Sequence, residues 1–261
     1  MNRILFEPAE IEPDGCVMLR DFRAEHIRNV LKAVPGKVLK TGVVNGLCGY
    51  STVMEISDVG ILLETSHQEE SPQPWFDVIL AAPRPLALKR LWPQLTALGA
   101  GKIFLVKAEK VEKYYFSSQW VRPESVKSLL VEGAVQAGLT HIPDFEIRMD
   151  FRRFMNEEFD KMAPKYFPLL AHPGPVQSLE LPADQNLRPL IAVGPEGGWT
   201  DNELEMFEDC GFALFSLGER ILRSDTACIA LISVMDYALH SHLQQRCGKL
   251  CPDVLPPAEG E

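Results

Sequence analysis

Leu190-Ile191-Ala192-Val193-Gly194-Pro195-Glu196-Gly197-Gly198, followed further on by Leu217-Gly218-Glu219-Arg220-Ile221-Leu222-Arg223-Ser224-Asp225-Thr226-Ala227, is the stretch whose reading decides the fold. Each half is an apolar run that passes into a glycine-bearing loop and then into a helix start. Arg188-Pro189 forces an extended entry, and Leu190 to Val193 suits a strand covered on both faces. Thr200-Asp201-Asn202-Glu203 is a capping box, so a helix begins at about residue 201 and ends near Gly211. Phe212 to Leu217 reads as the next strand, and Ser224-Asp225 opens a helix reaching about Leu243. Glycine permits positive φ and close approach to bare main chain. Two such loops together predict one small-molecule pocket read by backbone groups. Alone, Gly194 to Gly198 reads equally well as an ordinary tight turn; its pairing with the second loop carries the inference.

Upstream, strand and helix signals alternate. Phe76 to Ala82 reads as a strand, and Leu88, Leu91, Trp92, Leu95 and Leu98 form one helical face that Gly99 ends. Pro93 is expected to kink that helix or delay its start. Lys102 to Val106 and Tyr166 to Ala171 are further strands. Pro123 opens a helix with Val126, Leu129, Leu130, Ala134 and Ala137 on its apolar face. The expectation is an α/β domain with a parallel sheet, its ligand at the carboxyl ends of the strands. Neither GxGxxG nor GxxxxGK[ST] occurs, which disfavours the dinucleotide and P-loop readings.

The first 70 or so residues differ in rhythm. Arg3–Phe6, Gly15–Leu19, Lys37–Val44, Ser51–Ile56 and Gly60–Glu64 are short alternating segments, a small β-barrel pattern interrupted by one helix over Ala24–Lys32. Gln68 to Trp75 is polar and proline-marked, a linker. The division expected is 1–72, a small β-barrel; 73–245, the α/β domain; and 246–261, a disordered tail.

Of the 261 residues 46% are hydrophobic and 24% charged, ordinary values for a folded core. No apolar run spans a bilayer and the amino terminus lacks a signal-peptide core, so the chain is read as cytoplasmic with no membrane contact. Cysteines 16, 48, 210, 228, 247 and 251 show no zinc-ligand spacing, and no metal is expected. Cys228 is expected on a buried helix face. The net charge is −10, yet residues 84–127 hold nine basic and three acidic side chains, +6 locally against −16 elsewhere. That stretch is either a footprint for phosphates or a solvated lysine face.

The two glycine loops resemble the cofactor loops of SPOUT methyltransferases, specifically the RsmE-type enzymes that methylate N3 of a uridine in 16S ribosomal RNA. His26 with Val30-Leu31 and Pro35-Gly36, Thr96 with Leu98-Gly99, and Glu132 with Gln136, Gly138 and Pro143 resemble that family's other signatures, in order. The resemblance implies a PUA-like RNA-contacting barrel, a trefoil-knotted α/β domain, a homodimer, and S-adenosylmethionine as cofactor. It places Leu170, His172, Gly194, Glu196, Gly197, Gly198, Leu217, Gly218, Ile221 and Leu222 around the cofactor. His172 stands open between that role and an ordinary loop position. Arg3, His26, Arg28, Lys32, Lys89, Arg90 and Lys110 are the RNA candidates.

Methylating N3 displaces a proton and puts negative charge on the flanking carbonyl oxygens, which a guanidinium stabilises without losing its own proton. Arg223 and Arg220 are the catalytic candidates, with Asp225 and Thr226 as orienting or proton-accepting groups; the other reading has Arg223 and Asp225 simply bracing the loop. Departures from the family fall on the RNA side: Lys32 and Lys110 stand for arginine, Gln94 for lysine, Ala97 for glutamate and Leu139 for arginine. Two alternatives stay open: a SPOUT methyltransferase for another ribosomal or transfer RNA position, and a non-catalytic RNA-binding assembly factor.

Overall fold

A computed structural model describes residues 2–174, Pro182, Asp184 and 186–247, the side chains of 242–247 excepted. The readings of Cys247, Cys251 and the 246–261 tail therefore lie outside the described residues, apart from the backbone to Cys247.

The amino-terminal strands are β1 (Ile4–Phe6), β2 (Cys16–Leu19), β3 (Val38–Val43), β4 (Cys48–Ser57) and β5 (Gly60–Glu69), ordered β1-β3-β4-β5-β2. Only β1 and β3 run parallel. The sheet curls into a half-barrel around Phe6, Val17, Leu19, Ile27, Val53, Ile61 and Leu63, all fully buried. Two sequence expectations need correction here. The β4–β5 hairpin is longer than its apolar core, and β5 runs into the stretch read as linker. Ladder pairing needs only main chain, and Gly49 lets the strands continue: a Cβ there would overlap the Ser66 carbonyl. The helix expected over Ala24–Lys32 is a single α turn, α1 (Phe22–Glu25), widening into π turns over His26–Val30.

The second sheet is wholly parallel, as the alternation of strand and helix required. Its strands are β6 (Phe76–Ala81), β7 (Ala100–Val106), β8 (Asp144–Arg148), β9 (Tyr166–Ala171), β10 (Arg188–Val193) and β11 (Ala213–Phe215), ordered β11-β9-β10-β6-β7-β8. β6 is buried at every position, and Leu190 to Val193 of β10 nearly so, because helices cover both faces. These are α2 (Pro85–Ala97), α3 (Pro123–Ala137), α4 (Phe151–Arg153), α5 (Asp160–Met162), α6 (Asp201–Asp209) and α7 (Ser224–Cys247). Between α4 and α5 the chain makes π turns through Phe154–Phe159. Contrary to expectation, Pro93 does not delay α2, which starts at Pro85 and carries Pro93 inside it. There α3 crosses so closely that a Cβ on Gly133 would overlap the Pro93 carbonyl. The capping box of α6 forms as read, Thr200 accepting from Glu203 and Glu203 from Thr200. Cys228 is buried in α7, and burial pushes its thiol pKa up to about 12.

The two sheets join at the carboxyl end of α3. The Asn2 amide donates to the Val135 carbonyl at 3.2 Å, and Arg3 Nε to that of Gly138 at 2.9 Å. Helix ends leave such carbonyls unpaired, and a cation there also suits the helix dipole. Beneath them Leu5, Val44 and Ala134 form a small shared core, and Thr140 Oγ1 donates to the Gly46 carbonyl at 2.7 Å.

Candidate active site

β10, β9 and β11 are neighbours, and their carboxyl ends open on one cavity of about 350 Å³. Three loops wall it. After β10 comes Gly194 to Trp199, after β11 Leu217 to Leu222, and after β9 His172 and Pro173; Ser224, Ala227 and Leu231 of α7 close the back.

The first loop is a tight turn, the Gly198 amide donating to the Pro195 carbonyl at 2.9 Å. Gly198 has φ 68°, and a Cβ there would meet no protein atom, so its need for glycine is conformational rather than steric. The loop is held from outside. Lys110 Nζ donates to the carbonyls of Gly197 (3.0 Å) and Trp199 (3.2 Å), and Glu196 accepts from the Arg84 amide at 3.0 Å. Trp199 is buried between Phe151 and Phe207.

The second and third loops are laced together. Ser216 Oγ donates to the Gly174 carbonyl at 2.8 Å and accepts from the Gly218 amide at 3.0 Å. Gly218 takes φ 114°, another position that disfavours any side chain. Ile221 and Leu222 are exposed and form an apolar lip, Ile221 being 86% accessible. Past the lip, Arg90 of α2 donates to Asp225 in the first turn of α7 at 2.9 Å. That hydrogen bond outweighs partial burial and holds the Asp225 carboxyl below its ordinary range.

Of the ten residues read as cofactor contacts, His172, Gly194, Glu196, Gly197, Gly198, Leu217, Gly218, Ile221 and Leu222 line the cavity; Leu170 is buried in β9 beside Ala171, which does line it. Among the catalytic candidates Arg220 is in the wall, Arg223 and Thr226 are exposed next to it, and Asp225 is paired with Arg90. The RNA candidates are not one patch. Arg90 and Lys110 bind the loop machinery, and Arg3 is committed to main-chain carbonyls. Arg28 donates to the Ser57 carbonyl at 2.7 Å, and exposed Lys32 sits at φ 46°. His26 is half-buried with Nε2 lacking a partner among the described residues. Lys89 lies 4.5 Å over the Trp120 ring. Sequence reading missed Trp199 and the α7 residues Ser224, Ala227 and Leu231. Their helical spacing from Ser224 was the available signal.

Among the described residues the lining is mostly main chain and apolar carbon, with Glu196 its one carboxylate, Arg220 its one guanidinium and His172 its one imidazole. Such a site suits a ligand-sized molecule with hydroxyls, a ring and little need for protein cations. The class this defines is a parallel-sheet protein with a small-molecule cavity on glycine loops at the carboxyl ends of its strands. Residues 69–236 match the RNA methyltransferase domain family. Ribosomal RNA small subunit methyltransferase E of Treponema pallidum is 30% identical over 251 residues, 90% of each chain. Ribosomal RNA small subunit methyltransferase E 1 of Borreliella burgdorferi is 25% identical over 220 residues, 82% of this chain and 89% of that one. The Neisseria gonorrhoeae ribosomal RNA small subunit methyltransferase E, solved bound to S-adenosyl methionine, superposes with a TM-score of 0.75 at 23% identity, covering 91% of this chain and 98% of that one. The chain belongs to the RNA methyltransferase family of the ribosomal RNA small subunit methyltransferase E type.

Proposed function

We propose that the chain methylates N3 of a uridine in small-subunit ribosomal RNA, using S-adenosylmethionine. The observation that carries this is the cavity at the ends of β9, β10 and β11, whose glycine loops leave main-chain groups to grip adenosine and methionine. When bound, S-adenosylmethionine supplies a methyl on a sulfonium. The loops after β9 and β11 would hold the adenine, and Gly194, Glu196 and Gly198 the ribose and amino-acid part, the Glu196 carboxylate being agreeable to a sulfonium charge. Leu170 supports this from below rather than by contact.

In-line displacement at a methyl depends chiefly on positioning. Arg220 in the wall and Arg223 at its edge would stabilise the charge that builds on the uracil oxygens as N3 gives its proton to solvent water and takes the methyl, S-adenosylhomocysteine being the leaving group. Asp225 we assign to positioning: a carboxylate held low by Arg90 is a weak proton acceptor but a firm brace for the loop. Thr226 is exposed beside it and is kept as an orienting group.

The same reading makes residues 1–72 a PUA-like RNA-contacting module, 73–245 a SPOUT domain with a trefoil knot, and the working form a homodimer. The five-stranded half-barrel and the order β11-β9-β10-β6 support it. No helix among the described residues is long and apolar enough to cross a membrane, and cytoplasmic placement follows from an rRNA substrate. Mass spectrometry of 16S rRNA from a deletion strain, with and without the gene restored, tests the reading. One methyluridine should disappear and return. An unchanged methyl inventory, with calorimetry finding no S-adenosylmethionine bound, would leave the assembly-factor reading.

A further inference from the structure

Trp199, in the wall of the cofactor cavity, carries a polar group that the fold leaves without a partner. Two other indoles are satisfied by main chain. Trp75 donates its N–H to the Leu98 carbonyl at 2.7 Å, and Trp92 to that of Trp120 at 2.8 Å. Trp199 is only 5% accessible, yet its buried Nε1 has no acceptor among the described residues. A buried N–H without an acceptor is costly, and native folds rarely leave one. Nor is the ring free to turn and find a partner: Phe151 stacks on it at 5.5 Å and Phe207 meets it edge-on at 4.8 Å. The N–H is instead directed at the glycine loop, where a Cβ on Gly194 would stand 3.0 Å from Nε1. Gly194 also lines the cavity, so glycine at that position keeps the approach to the indole open. Water does not reach Nε1 as the loop stands. An acceptor meets it only when the loop gives way, and Gly194, Gly197 and Gly198 supply the backbone freedom.

The chemistry of the loop narrows what that acceptor is. An indole N–H only donates, whereas Glu196, three residues earlier in the same wall, only accepts. Glu196 Oε1 takes the Arg84 amide, and Oε2 has no partner among the described residues. A donor and an acceptor on one loop match a hydroxyl, whose oxygen accepts and whose proton is given. A carboxylate is repelled by Glu196, and an ammonium has no lone pair to offer the indole. The adenine edge also donates and accepts, but the reading above gives it to the loops after β9 and β11. On S-adenosylmethionine this leaves the ribose hydroxyls.

We propose that Trp199 is a ribose-binding residue, its indole N–H donating to one ribose hydroxyl of the cofactor beside Glu196. The proposal rests on S-adenosylmethionine occupying this cavity. It adds the source of sugar selectivity, and it makes the buried indole the group that reports loop closure on the ligand.

The test uses the full chain, isotope-labelled so that each indole N–H is seen separately by NMR. The resonance lost in Trp199→Phe assigns the one in question. Four ligands are titrated: S-adenosylhomocysteine, methylthioadenosine, which keeps the ribose and lacks the amino-acid part, and the two S-adenosylhomocysteine analogues that each lack one ribose hydroxyl. With the first two, the Trp199 proton should move downfield and exchange more slowly with water. One of the two analogues should leave it unmoved and bind roughly fivefold more weakly by calorimetry, the worth of one neutral hydrogen bond. Trp199→Phe should lose about the same factor for S-adenosylhomocysteine and no longer distinguish it from that analogue. A ring that only packs would instead lower the melting temperature and keep the distinction, which overturns the proposal. So does a resonance that responds to S-adenosylhomocysteine but not to methylthioadenosine, because the partner is then the amino-acid part. An indole unmoved at saturating S-adenosylhomocysteine overturns it as well and leaves the cofactor reading intact. Failure of every ligand to bind removes the cofactor reading and the proposal together.

Discussion

At the amino end of the parallel sheet, side chains lock strand to strand; at its carboxyl end β9 and β10 run out into bare main chain. Tyr166, the first residue of β9, donates its hydroxyl to Asp77 of β6 at 2.6 Å. Arg188, the first residue of β10, puts Nε 2.8 Å from Asp77 Oδ1, near enough for an ion pair though out of line for a hydrogen bond. Gly101 of β7 makes room for that guanidinium, since a Cβ there would overlap it. Twenty ångströms or so of strand away, at about 3.3 Å per residue, the loops satisfy one another through Ser216 and Lys110 and present the rest to a cavity. One end stores stability and the other keeps polar groups available. Changes at one end should therefore leave the readout of the other nearly untouched.

The sharpest attempt to break this division is Arg223→Lys. It preserves charge and loses the planar fork, and kcat should fall by roughly 10²–10³ with little change in cofactor affinity or melting temperature. A lower Tm with weaker cofactor binding and near-normal kcat would make Arg223 a brace. At the opposite end, Asp77→Ala strands Arg188 and removes the Tyr166 partner, and should cost about 3 kcal/mol in denaturant unfolding. Calorimetry should find S-adenosylmethionine affinity within about twofold of wild type; a large loss would mean the two ends are coupled. Gly198→Val is smaller in stability but not in binding. A branched side chain resists φ 68°, the turn must shift, and affinity should weaken by at least about tenfold, with a Tm loss of only a few degrees.

The smallest effect is in pH. Burial, then the Asp77 contact, raise the Tyr166 pKa well above its ordinary value. Its contribution is thus complete below the unfolded tyrosine pKa near 10 and is lost as pH rises beyond it. Asp225 runs the other way: its lowered pKa gives stability that is present above the unfolded value near 4 and fades as pH falls through the folded one. Unfolding curves of Tyr166→Phe should lose part of the alkaline slope, and those of Asp225→Asn part of the acid slope. Parallel curves for variant and wild type would deny either group a role.

What was legible in the sequence follows the same division. Gly194, Gly198, Gly218 and the Thr200 cap announce local backbone geometry, and local geometry is written in neighbouring residues. The Asp77, Tyr166, Arg188 and Gly101 cluster draws on four strands distant in sequence, and nothing local marks it. β8 escaped notice because its edge position leaves Glu146 and Arg148 in ion pairs with Lys102 and Glu158, diluting the apolar pattern. The buried residues Phe151, Phe154, Met155 and Phe159 do have helical spacing, a signal left unused. Lys110 and Arg90 were read by charge, whereas their partners are a carbonyl pair and a carboxylate set by tertiary packing.

The clasp of Asn2 and Arg3 on α3 has a consequence in time. On the ribosome, the first strand and its two flanking residues emerge long before Val135 and Gly138, the carbonyls that receive them. Until about 140 residues have left the exit tunnel, Arg3 pairs only within its own half-barrel, with the Thr41 carbonyl, and the apolar surface of Leu5 and Val44 has no Ala134 to cover it. Closing so long a loop is slow compared with forming a local hairpin. During synthesis the first-made part of this chain therefore waits on the middle, and a nascent chain stalled before α3 would be a sticky one.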